Sequence, residues 1–191
     1  MYILTTDQAS CSGWALIQAL TARPINWGLA KNHHDIDRVV RTAVHVAGGP
    51  SELYLLTEGH SKVPLFVGSS RDARRNDEGG KKRNTATILG MGASRGWWEH
   101  AACSKYIGGV AKAHVLKVSD ATWKGSVLGP RWAKARTDDV RAESVRFAKA
   151  LLGSTVTHDE AAAICMAVWA GMNVPAMLVA AREKRKARNA G

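Results

Sequence analysis

Tyr2-Ile3-Leu4-Thr5-Thr6-Asp7-Gln8-Ala9-Ser10, followed by Gly13-Trp14-Ala15-Leu16-Ile17, reads as a short apolar strand that ends in a carboxylate, turns, and folds back as a second strand. An acid at the end of a first strand places a charge at the edge of a sheet, where it can hold a metal. Asp before a turn is also a common cap, so Asp7 needs partners elsewhere in the chain.

Those partners follow from the order of elements. Strands are expected at residues 2–7, about 13–19 and about 25–31, the three forming an antiparallel meander. Apolar Ile36, Val39, Val40, Ala43 and Val44 recur at helical spacing up to Gly48-Gly49-Pro50. Glu52-Leu53-Tyr54-Leu55-Leu56-Thr57-Glu58 is a nearly continuous apolar run ending in a second acid, as a strand buried on both faces would be. Helix is expected over Thr85 to Tyr106, strand over His114 to Val118, and loop over Ser119 to Arg136. Thr137-Asp138-Asp139 should cap a helix running to Leu152. A core helix should start near His158 and run to about Gly171, with a separate basic helix beyond Asn173-Val174-Pro175. The expected organisation is a domain over 1–175 and a basic C-terminal helix or tail over 176–191.

Charge narrows the partner. The 191 residues carry 27 Lys and Arg against 16 Asp and Glu, a formal net charge of +11. Basicity of that size favours a polyanion, because Lys and Arg release counterions from phosphates. Between Gly59 and Asn84 the composition turns to Gly, Ser, Asn and Asp around Arg71, Arg74, Arg75, Lys81, Lys82 and Arg83. This reads as a loop that tracks phosphates, with Phe66 as its candidate for stacking on a base. Lys124, Arg131, Lys134 and Arg136 form a second basic set. The C-terminal run of Arg182, Lys184, Arg185, Lys186 and Arg188 is either a solvated face or a non-specific DNA arm.

Three cysteines with no C-x-x-C pair suggest neither a disulfide framework nor zinc, so a reducing cytosolic setting is expected. The N-terminus lacks a basic stretch followed by a long apolar run, and neither export nor a membrane partner is expected. His33-His34-Asp35 and His60 carry metal-capable side chains, but no spacing singles them out.

Strands, helix, strand, helix, strand, helix, helix, with acids at Asp7, Glu58 and Asp159, is the order of a ribonuclease H-like α/β fold: a mixed five-stranded sheet flanked by helices. In that fold the first and fourth strands are neighbours, and Asp159 would approach from a helix packed on the sheet. Converging carboxylates repel one another unless a cation sits among them, and hard oxygen donors suit Mg²⁺ or Mn²⁺.

The chain resembles the RuvC family of Holliday junction resolvases, most closely a phage-type member. The resemblance rests on Asp7 through Ile17, on Leu53 through Glu58, on Leu89 to Gly96, on Val115 through Lys124 with Val127-Leu128-Gly129, on the Lys134 region, and on His158-Asp159-Glu160-Ala161-Ala162-Ala163-Ile164. It implies an Mg²⁺-dependent crossover junction endodeoxyribonuclease with two ions per site and Mn²⁺ able to substitute. Asp7, Glu58 and Asp159 would be the metal ligands, His158 or Glu160 would assist, and paired nicks would leave 5′-phosphates. It also implies a homodimer on branched DNA, matched to the two-fold symmetry of a four-way junction.

One departure stands out. The family places two ligands three residues apart on the last helix, and counting on from Asp159 or His158 gives Ala162 or Ala161, neither of which binds a cation. A catalytically idle junction or duplex-binding protein of the same fold is therefore the alternative. A sugar-kinase or actin-like ATPase also begins with strand, Asp and turn, but needs two such domains.

Overall fold

The computed structural model describes residues 1–7, 11–59 and 85–189, the side chains of 85–91, 184, 185, 188 and 189 excepted. Five strands and five α-helices follow one another as β1 (Tyr2–Asp7), β2 (Ser12–Gln18), β3 (Asn26–Ala30), α1 (His33–Ala47), β4 (Leu53–Glu58), α2 (Thr85–Cys103), β5 (Val115–Val118), α3 (Asp120–Val127), α4 (Thr137–Leu152) and α5 (His158–Asn189). The sheet order is β3-β2-β1-β4-β5. The β1–β2 and β2–β3 pairs are antiparallel, and β4 joins β1 and β5 in parallel. This is the mixed five-stranded α/β sheet with flanking helices that the order of elements predicts.

Period-two alternation on β1 and β4 divides the core between the two faces. Ile3, Tyr54 and Leu56 pack with Ile164, Trp169 and Leu152 from the α4 and α5 side, while Leu4, Leu53 and Leu55 pack with Val40, Trp98 and Ala101 from α1 and α2. Ile3, Leu4, Leu55 and Leu56 are at most 1% exposed, so both faces of the central strands are covered.

Four expectations are corrected. The stretch 119–136 is not a loop: it holds α3 and a 3₁₀ turn over Pro130–Lys134. Ser119 caps α3, its Oγ accepting from the Thr122 N–H at 3.3 Å, and buried Trp123 anchors it. Secondly, α2 stops at Cys103 instead of Tyr106. Thirdly, Thr137 lies inside α4, whose N-cap is Arg136 with no side-chain hydrogen bond.

The fourth concerns α5, which runs unbroken through Pro175. Proline has no N–H for the carbonyl of Gly171 four residues back, which would ordinarily break the helix. That carbonyl instead accepts the backbone N–H of Leu20 at 3.0 Å. The turn after β2 can come this close because a side chain at 171 would meet the Thr21 carbonyl. Residues 161–181 of α5 carry no charge, an uncharged run that an expectation of no membrane partner passes over. The helix is long and apolar enough to cross a bilayer, and 56% of its most apolar stretch is buried within the protein, as in a core helix.

Candidate active site

Asp7 ends β1 and Glu58 ends β4, on neighbouring parallel strands in which Thr6 is registered with Thr57. Their side chains leave the sheet on the α5 side, the side of Ile3 and Leu56. The third acid is brought in by α5. Near its start, the Thr5 hydroxyl donates to the Ala163 carbonyl at 2.8 Å, with the Ala15 carbonyl at 3.1 Å, and ties helix, β1 and β2 together. One step along, Gly13 is the register partner of Asp7, and a Cβ there would overlap the backbone of Asp159 and Glu160. The missing side chain at 13 is what lets the first turn of α5 settle onto the sheet and carry Asp159 toward Asp7.

The charges report the same closeness. The Asp7 carboxyl is pushed up to about 7 from the ordinary 3.8, first by burial and then by the negative charges of Glu58 and Asp159, against the opposing pull of Lys124 and Arg141. Asp7 thus sits among two other carboxylates and two fixed cations. Trp123 Nε1 donates to Glu58 Oε1 at 3.3 Å, fixing that carboxylate from α3. Lys124 Nζ pairs with Asp120 at 2.9 Å and is mostly shielded from solvent.

The last motif separates into distinct roles. His158 Nε2 lies 3.0 Å from Asp159 Oδ1. Glu160 accepts the backbone N–H of Thr157 at 2.8 Å while Thr157 Oγ1 accepts the Glu160 N–H at 3.3 Å, a reciprocal cap on the start of α5. Ala161 is fully buried, Ala162 packs against the core, and Val156, three residues before Asp159, is buried too.

Three carboxylates crowded enough to hold a proton near neutrality fit the donor chemistry of a hard divalent ion. Among the described residues no group of three His, Cys, Asp or Glu side chains is arranged to hold a metal as the chain stands, so the carboxylates must draw together to do so. A cleft of about 550 Å³ between α2 and β5, lined by Glu99, His100, Cys103, Lys112 and Lys117 among others, includes none of the three.

Of the basic candidates, Lys124 lies by the acids and Arg131, Lys134 and Arg136 are exposed on the neighbouring segment, Arg131 lying over the Trp132 ring at 4.9 Å. Phe66, Arg71, Arg74, Arg75, Lys81, Lys82 and Arg83 lie outside the described residues. On α2, Trp98 is fully buried, whereas Gly92, Ala93, Gly96 and Trp97 are exposed and Trp97 stacks on His33 at 5.2 Å. Sequence reasoning does not single out Thr5, Gly13 or Trp123 as site residues, and it passes over Arg141 altogether. The Gly beside the strand-end acid and the Trp beside Lys124 are the signals that were there to use; nothing marks Arg141.

No family model and no curated protein matches the chain. Among solved structures it is similar to Thermus thermophilus RuvC, at 13% identity and a TM-score of 0.53 over 88% of this chain and 92% of that one. It is also similar to T. thermophilus RuvC in complex with a Holliday junction substrate, at 14% identity and a TM-score of 0.51 over 88% and 90% of the two chains. At such identities the likeness is one of fold: the chain has a RuvC-like fold.

Proposed function

We propose that this chain is a metal-dependent, structure-selective endonuclease of the RuvC type that resolves four-way DNA junctions by hydrolysing phosphodiesters, leaving 5′-phosphates. The observation that carries the reading is the meeting of Asp7 and Glu58, on adjacent strand ends, with Asp159, delivered by the first turn of α5 over Gly13. Asp7, Glu58 and Asp159 would hold Mg²⁺ or, in its place, Mn²⁺. When bound, the ion would supply the Lewis acidity that makes water a nucleophile and offsets charge building on the phosphate.

The residues around the acids do the rest. Trp123 holds Glu58 in one orientation, and His158 does the same for Asp159. Lys124 and Arg141 draw the scissile phosphate toward carboxylates that would otherwise repel it. Exposed Arg131, Lys134 and Arg136 extend the positive surface along the DNA backbone. A four-way junction needs two opposed cuts, so a two-fold dimer is the matching assembly, and the exposed face of α2 around Ala93, Gly96 and Trp97 is its candidate contact. Free Cys11, Cys103 and Cys165 suit a reducing cytosol, that of a bacterium or of a phage-infected host.

A second reading is favoured by one observation. The position one turn from Asp159 offers only Ala162, which suits a protein that binds junctions without cutting them. Purified chain incubated with a synthetic four-way junction and a matched linear duplex, in Mg²⁺ or in Ca²⁺, decides between the two. Mg²⁺-dependent paired nicks in the junction alone, lost in Asp7→Asn and Glu58→Gln while binding persists, support the nuclease; binding without nicks supports the idle binder.

A further inference from the structure

We propose that the carboxylate cluster takes up one divalent ion per chain, not two, and that Lys124 and Arg141 supply the positive charge a second ion would bring. The inference rests on the nuclease reading above and concerns how this chain's own residues meet the metal.

Donor count is the first ground. Two hard ions sharing a site need carboxylates on both sides of the pair. Here a fourth carboxylate has no place to come from. Ala162, Ala161 and Val156 occupy the positions one turn from Asp159 and from its neighbour His158, and the last two are buried. Glu160 is committed to the cap with Thr157. His158 Nε2 is already directed at Asp159.

Charge is the second ground. Three carboxylates beside two fixed cations leave one net negative charge around Asp7. A single divalent ion reverses that sign, and a second would enter a site already positive. Neither cation is easily discharged. Arg141 keeps its proton at any working pH, and Lys124 is held by Asp120 at 2.9 Å. Arg141 stands in the second turn of α4, 54% exposed and only 3.7 Å from Asp138, so its planar fork is accessible for bidentate contact with a phosphate.

Mn²⁺ titrated into the full chain and followed by electron paramagnetic resonance tests this without relying on cleavage. The wild type should bind one ion per chain with an uncoupled six-line spectrum. Arg141→Gln, at an exposed position, should bind that ion roughly threefold or more tightly, since a repelling charge is gone. Ala162→Asp should add a second ion, magnetically coupled to the first. Two coupled ions in the wild type would overturn the single-ion inference and leave the nuclease reading standing. Unchanged Mn²⁺ affinity in Arg141→Gln would remove Arg141 from its role. No bound Mn²⁺, together with no metal-dependent cutting, would overturn both this inference and the nuclease reading.

Discussion

Gly13 and Asp159 meet through their backbones: the space a side chain would need at 13 is filled by the Asp159 carbonyl, while Gly13 itself lies across the ladder from Asp7. Gly13→Ala should therefore act on the site before it acts on the sheet. The first turn of α5 must lift to admit a methyl group, at a cost of about 1–3 kcal/mol, and Asp159 lifts with it. Urea unfolding should show that loss, and junction cleavage should fall by at least about 10²-fold. Full activity in Gly13→Ala would show that Asp159 does not depend on this contact.

Asp7 makes the metal-free protein less stable as the solution becomes more alkaline. Its carboxyl titrates near 3.8 in the unfolded chain and near 7 in the folded one, so between those values the folded state holds more protons. Stability from this group is therefore greatest below about pH 4 and declines as pH rises to about 7, by on the order of 4 kcal/mol in all. Asp7→Asn should abolish that slope. Unfolding midpoints in the presence of a chelator should show the variant clearly more stable than the parent at pH 8 and close to it at pH 4; parallel pH profiles would contradict the assignment.

Trp123→Phe removes the Nε1–H that reaches Glu58 while keeping an aromatic ring in the core. The bond is long at 3.3 Å, so a drop in kcat of about tenfold is expected, with the KM for junction unchanged. Loss of binding instead would place Trp123 in the DNA contact and not behind Glu58.

Salt should govern affinity. If about six phosphates are contacted, binding should weaken on the order of 10³-fold between 50 and 200 mM salt. Neutralising Arg131, Lys134 and Arg136 together should flatten the plot of log Kd against log salt by about 0.9 for each phosphate that these side chains pair with in the parent protein. An unchanged slope would move the DNA elsewhere on the surface.

The fold was legible in the chain because its central strands are written in an unmistakable form. Residues 2–7 and 53–58 are apolar to the last position and then acidic, and both ends fall where expected. What local pattern could not show was contact between distant segments. Pro175 reads as a stop because its lost hydrogen bond is visible in sequence, whereas the Leu20 N–H that satisfies Gly171 is not. Ser119 is a sound helix cap, yet α3 has a weak apolar period and is fixed mainly by buried Trp123. Among the acids, Asp7, Glu58 and Asp159 could be picked by order alone. Glu160 looked equal to them until its reciprocal bond with Thr157 was seen, and Arg141 enters only because α4 packs against α5.

The hydrogen bond from Thr5 to the Ala163 carbonyl spans 158 positions of sequence. Loop closure over such a separation comes late in folding, after nearer contacts have formed. During synthesis Asp7 and Glu58 leave the ribosome as a two-acid sheet edge, with nothing above Gly13. Asp159 is added only once the last helix has been made and has docked. The cutting centre is thus the final piece of the molecule to be assembled, and a nascent or truncated chain ending before α5 carries the sheet without the complete cluster.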